Sequence, residues 1–141
     1  VLDDYLLNKR LEPELVYQMI EAGKRQYMLE TISLHTPDTL IWGYSSIQLK
    51  AVQEQESAIW QYLVEQKMLL SKERIDYLNF MGEAESNSIL GNSLPGNVGK
   101  YIGYKIVSAY MKKQSNGRYV NLEKLAATPS SVIYAGSNYH P

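Results

Sequence analysis

The side chains able to do chemistry in this sequence are few. His35 and His140 are its only two histidines, and it has no cysteine. A zinc site needs three or four histidine, thiolate or carboxylate ligands, often with two of them on an H-E-x-x-H helix. No such helix is present: His35 sits in an H-T-P-D turn and His140 in the closing S-N-Y-H-P. No metal and no cofactor is therefore expected from these residues alone. Among the carboxylates, Glu54 and Glu56 are two apart and fall on different helix faces, so they do not form an acid–base pair. Glu56 is the more interesting, because it lies one turn before Trp60. A carboxylate held against an indole loses water and can act as an acid, while the plainer reading is a solvated helix-surface glutamate. Glu21 lies on an aromatic-rich helix and could supply a third metal ligand only if histidines came from elsewhere. No nucleophile motif frames the serines, so a triad is unsupported. The P-G-N-V-G-K-Y-I-G run of residues 95–103 is not a phosphate loop, since Tyr101 follows Lys100 where Ser or Thr is required and no strand precedes it.

Composition sets the remaining bounds. A chain of 141 residues suits one domain, and burying roughly 70% of its unfolded surface gives it a core. The net charge is −1 and the pI about 6.2. The densest basic cluster, Lys112 and Lys113, sits at a helix C-terminus, where cations complement the dipole. Nucleic-acid binding is not expected without a basic stripe. No apolar run is long enough to span a membrane. Twelve tyrosines stand against one phenylalanine, giving many rings with a polar tip, suited to core edges and to interfaces.

The elements that must position these groups read as successive helices. An apolar segment at 2–7 comes first. Pro13 opens a helix whose stripe is Leu15, Val16, Met19, Ile20, Tyr27, Met28 and Ile32. Gly23 inside it implies a close approach. Residues 34–44 read as a loop in which Leu40, Ile41 and Trp42 tuck against the body. Ser45 or Ser46 caps the next helix, which runs to about Met68 with Leu49, Val52, Ile59, Tyr62 and Leu63 on one face. A short helix follows at 71–78 and a long loop at 82–95. The third strong helix covers 98–113, with Val98, Ile102, Ile106, Ala109 and Tyr110 buried. Its Gly99 and Gly103 are four apart, as in close helix packing, and Gly117 is a plausible stop. Asn121 caps a short helix, and Pro129 and Ser130 start another ending at Gly136. No strand pair is evident. The fold expected is all-α: a bundle of about three long and several short helices, forming one domain over 1–141 or the C-terminal part of a larger one.

Residues 94–111, L-P-G-N-V-G-K-Y-I-G-Y-K-I-V-S-A-Y-M, resemble a signature of the gliding-motility-associated GldB-like lipoproteins. Three more matches follow the family's order: M-I-E-A-G-K-R-Q-Y at 19–27, Gly43–Tyr44 with E-S-A-I-W-Q-Y at 56–62, and S-N-Y-H-P at 137–141. The chain departs from that pattern at Leu94, Asn97 and Tyr104, where serine, arginine and tryptophan are common, and at Glu21, where an aromatic is. The matched part corresponds to the C-terminal half of such a protein, so its lipid-bearing cysteine is expected upstream. The resemblance implies an outer-membrane lipoprotein on the periplasmic face of the cell envelope, tethered by that anchor and meeting protein partners of gliding or its linked secretion machinery. It also implies a distantly metallopeptidase-like C-terminal helical region.

Three functions stay open. The first is a noncatalytic envelope scaffold with a cleft lined by Trp60, Tyr101 and Tyr104, aromatic rings being low-entropy anchors for partners. Against it stands the reading that these rings fill the core. The second is a zinc-dependent peptidase with its H-E-x-x-H upstream and Glu21 or Glu56 contributing late. The third is a helical structural subunit of an envelope assembly.

Overall fold

The computed structural model describes residues 12–33, 35–115 and 121–141. The expected segment at 2–7 and the Gly117 stop lie outside the described residues. Two 18-residue helices dominate: α1 (Leu15–Ile32) and the helix Val98–Ser115, which will be α6. Leu15, Val16, Met19 and Ile20 of α1 and Val98, Ile102, Ile106 and Val107 of α6 are buried in one core. Gly23 and Gly103 let them cross. A β-carbon on Gly103 would strike the Met19 carbonyl, and one on Gly23 would strike the Gly103 carbonyl carbon. One on Gly99 would sit 2.8 Å from the Phe80 carbonyl oxygen and 2.9 Å from Met19 Cγ. The small-residue spacing thus marks a helix crossing, as expected. Pro13 precedes α1 rather than opening its first turn. The first free amides of α1, at Leu15 and Val16, donate to the Ser71 and Leu69 carbonyls at 2.8 Å each, as a helix start without a side-chain cap requires.

Between the two long helices, the expected loop holds a short helix, α2 (Asp38–Trp42), bounded by Pro37 and by Gly43 at φ 70°. Start and stop signals enclose only five residues, too few for periodicity to reveal. Its register turns Trp42 inward and leaves Leu40 73% exposed, since two residues along a helix point to nearly opposite sides. Ile32, expected in the stripe of α1, is 70% exposed, because the last turn of α1 runs beyond the crossing. The helix expected to reach Met68 is two: α3 (Ser46–Glu54) and α4 (Glu56–Glu65). Helical hydrogen bonds continue on either side of Gln55, whose φ/ψ of −103°/12° bends the chain. The bend lets Leu49 and Val52 on one side, and Ile59 and Leu63 on the other, face the same core. Ser45 caps α3 through a reciprocal box with Gln48, at 3.1 and 3.0 Å.

α5 (Arg74–Met81) buries Phe80. The segment after it has little regular structure but is pinned by one buried residue. Asn87, 1% exposed, donates to the Asn79 and Gly96 carbonyls and accepts from the Ile89 and Leu90 amides. All the bonding capacity of its amide is thereby used. α7 (Leu122–Ala127) is capped by Asn121, and α8 (Ser130–Ser137) follows Pro129. Among the described residues all regular elements are α-helices, with one isolated bridge between Asn87 and Gly91. The helix-dominated class is as expected.

Candidate functional site

Lys100 stands in the first turn of α6, where its side chain crosses to residues 58 positions away. Its Nζ donates to the Trp42 carbonyl at 2.7 Å and lies 5.5 Å from the Trp42 ring and 5.0 Å from the Tyr44 ring. Both distances suit cation–π attraction. Burial pushes the Lys100 ammonium below its usual range, and Glu83 partly opposes this. Trp42 stacks on Tyr44 at 5.5 Å, and its indole N–H donates to Glu30 at 2.8 Å. The Tyr44 hydroxyl donates to the Asn97 carbonyl at 3.0 Å. Burial drives that phenol far above its ordinary pKa.

Above this platform opens a cleft of about 910 Å³, within the range of ligand sites. One wall is Gly43 to Gln48, carrying Ile47, which is 74% exposed. The other wall is Glu83 to Ser86 together with Asn92, Ser93 and Pro95. Gln48 ties the walls together by donating to the Glu85 carbonyl at 2.6 Å. Asn87 fixes the second wall from beneath, because Gly96, whose carbonyl it holds, follows Pro95 directly.

The five residues singled out in the sequence take three places. Tyr101 and Tyr104 lie next along α6 and pack on Trp42, at 5.4 and 5.0 Å, forming the layer beneath the cleft. Tyr101 is buried and Tyr104 half-buried. Trp60 meets different rings, Tyr134 at 6.4 Å and Tyr139 at 4.9 Å. Glu56 joins the two groups. It accepts from the Tyr139 hydroxyl at 2.7 Å, has Lys105 at 4.0 Å, and sets its charge against the Tyr101 phenol. Burial and the Glu56 charge raise the Tyr101 phenol to about 12 and the Tyr139 phenol further. Glu21 sits apart, accepting from Ser130 at 2.8 Å and from the buried Lys24 at 3.0 Å, where it anchors the start of α8. Of the five, none lines the cleft that Lys100 floors.

Sequence reasoning does not single out Lys100, which stands unremarked in the P-G-N-V-G-K-Y-I-G run and in the 94–111 signature. Trp42 reads from the sequence only as a ring that tucks against the body. Nothing local marks either one, since each gains its role from the other. The sequence did hold an indirect signal. The four quoted segments meet in space: Gly23 on Gly103, Tyr44 on Asn97, and Glu56 and Trp60 on Tyr139.

The described residues contain no group of three His, Cys, Asp or Glu side chains placed to hold a metal, and no helix long and apolar enough to cross a membrane. No curated protein and no solved structure matches the chain. The family model described as "Gliding motility protein GldB" matches residues 2–141. With that match spanning nearly its whole length, the chain belongs to the GldB family of gliding motility lipoproteins.

Proposed function

We propose that this chain is a noncatalytic part of a cell-envelope lipoprotein, and that the cleft floored by Lys100, Trp42 and Tyr44 docks a protein partner of the gliding or linked secretion machinery. The supporting observation is the cleft itself. It is open and lined by polar and apolar groups alike, among them a lysine fixed by a carbonyl and two rings. Preorganised groups of this kind cost little entropy when a partner binds. The lipid anchor, carried upstream, would hold this surface at the periplasmic face of the outer membrane. Tyr101 and Tyr104 then act from below by backing Trp42, while Trp60 packs apart from the cleft on Tyr134 and Tyr139. In this reading Glu21 and Glu56 hold the fold, Glu21 through Ser130 and Lys24 and Glu56 through Tyr139 and Lys105.

The test is affinity purification of the intact protein from solubilised envelopes, wild type beside Lys100→Met. The proposal expects discrete envelope proteins to be retained by wild type and lost in the variant at unchanged Tm. Retention unaffected by Lys100→Met would contradict the docking site. Stoichiometric zinc together with peptide cleavage would contradict the noncatalytic reading.

A further inference from the structure

Resting on that docking reading, the geometry points to a partner segment of defined chemistry: an extended peptide whose internal Asp or Glu side chain binds Lys100, with a basic neighbour on one side and an apolar neighbour on the other. Lys100 carries three N–H donors, and the Trp42 carbonyl takes one at 2.7 Å. Lys100 lines the cleft, half-buried, and a partly desolvated ammonium there gains from an anionic acceptor. Asn97, Asn92 and Ser93 add uncharged polar side chains around the same opening. The rim asks for different groups. Glu83 and Glu85 on the 83–86 wall are exposed carboxylates and suit a cation. Ile47 on the facing wall is an exposed apolar side chain beside the floor.

Anion at the floor, cation at one rim and hydrocarbon at the other cannot be met by a simple anion, which Glu83 and Glu85 would repel. A chain end supplies a carboxylate with a neighbour on one side only. An acidic residue within a segment has neighbours on both, so it satisfies floor and rims together. Charge complementarity of this type fixes register and partner choice more than raw affinity.

The probes are pools of N-acetylated, C-terminally amidated hexapeptides centred on Lys-Glu-Leu and on Leu-Glu-Lys, offered to the intact immobilised protein. Matched pools carry Gln in place of the central Glu. A further Gln-centred pool ends in a free carboxylate. The expected result is retention of a Glu-centred pool, at least about tenfold weaker retention of its Gln counterpart, and loss of the preference in Lys100→Met. Because the Glu-to-Gln change is made in the peptide, the comparison on wild-type protein does not depend on how the variant folds. Glu83→Gln should reduce the advantage of a lysine neighbour and leave the Glu-to-Gln ratio in place. Equal retention of Glu and Gln pools, retention of the free-carboxylate pool alone, or no retention of any Glu pool would each overturn the inference. If envelope partners still depend on Lys100 for retention, the docking reading survives that result, so the two fail separately.

Discussion

Gly103→Ala puts the helix crossing to a direct test. In an isolated helix the change would stabilise by about 1 kcal/mol, because alanine restricts the unfolded chain. Here the new methyl would be driven into the Met19 carbonyl, a closer clash than the 2.8 Å approach that a methyl on Gly99 would make to the Phe80 carbonyl oxygen. The obstacle is backbone and cannot rotate away. The two helices must separate by about 1 Å to restore ordinary contact distances. Overpacking costs typically reach about 3 kcal/mol. Subtracting the propensity gain leaves a net loss of about 2 kcal/mol, or roughly 6–8 °C in Tm for a chain of this size. Thermal unfolding followed by circular dichroism measures it, with Gln53→Ala, on the exposed face of α3, as a control that should stay within about 0.5 kcal/mol. Gly23→Ala should cost a similar amount. The double variant should lose less than the sum, since both methyls compete for one gap. A Gly103→Ala protein melting at or above wild type would refute the reasoning.

Other outcomes follow from the same structure. Asn87→Ala strands two carbonyls and two amides and should cost about 3 kcal/mol, with faster proteolytic nicking within residues 82–95. Ser45→Ala removes the capping box of α3 and should lower stability by about 1 kcal/mol in denaturant titration. Tyr139→Phe removes the tail's hydrogen bond to Glu56 at a cost of about 1–2 kcal/mol; an unchanged melting curve would show that the tail is not held there. Burial, aided by Asp38, raises the Glu30 carboxyl above its usual 4.5 against the opposing Trp42 hydrogen bond. A raised carboxyl favours the folded state at low pH, and that contribution is lost as pH rises through the folded value. Glu30→Gln should therefore gain stability relative to wild type as pH rises from about 4 to 7, and a difference flat with pH would contradict the shift.

How much the sequence revealed depended on how local each signal was. Ser45, Asn121 and Pro129 announce helix starts through their own chemistry, and all three do so here. Gly23, Gly99 and Gly103 announce a crossing, because so many glycines on apolar helix faces have few other uses. The bend at Gln55 left no mark, since the apolar spacing from Leu49 to Leu63 fits one straight helix nearly as well as two. The burial of Lys24, 3% exposed, was equally hidden, because its partners include the Thr128 carbonyl 104 residues away. The candidate site is the extreme case. Lys100, Trp42, Tyr44 and Glu83 lie on three separate segments, the end of α2, the start of α6 and the stretch after α5, which only the fold brings together. Trp60, Tyr101 and Tyr104 read from the sequence as rings lining a cleft, whereas Tyr101 and Tyr104 lie one layer below it and Trp60 packs apart on Tyr139.

The measurement that bears most directly on the central claim is site-specific photocrosslinking in living cells. A photoreactive residue is placed in the intact protein at Ile47, at Ala84 or at Ser93 on the cleft rim, and at Glu123 on α7 for comparison. A docking cleft predicts a discrete protein adduct from the rim positions, lost with Lys100→Met, and none from Glu123. Adducts formed at Glu123 but not at the rim, or rim adducts indifferent to Lys100, would contradict it.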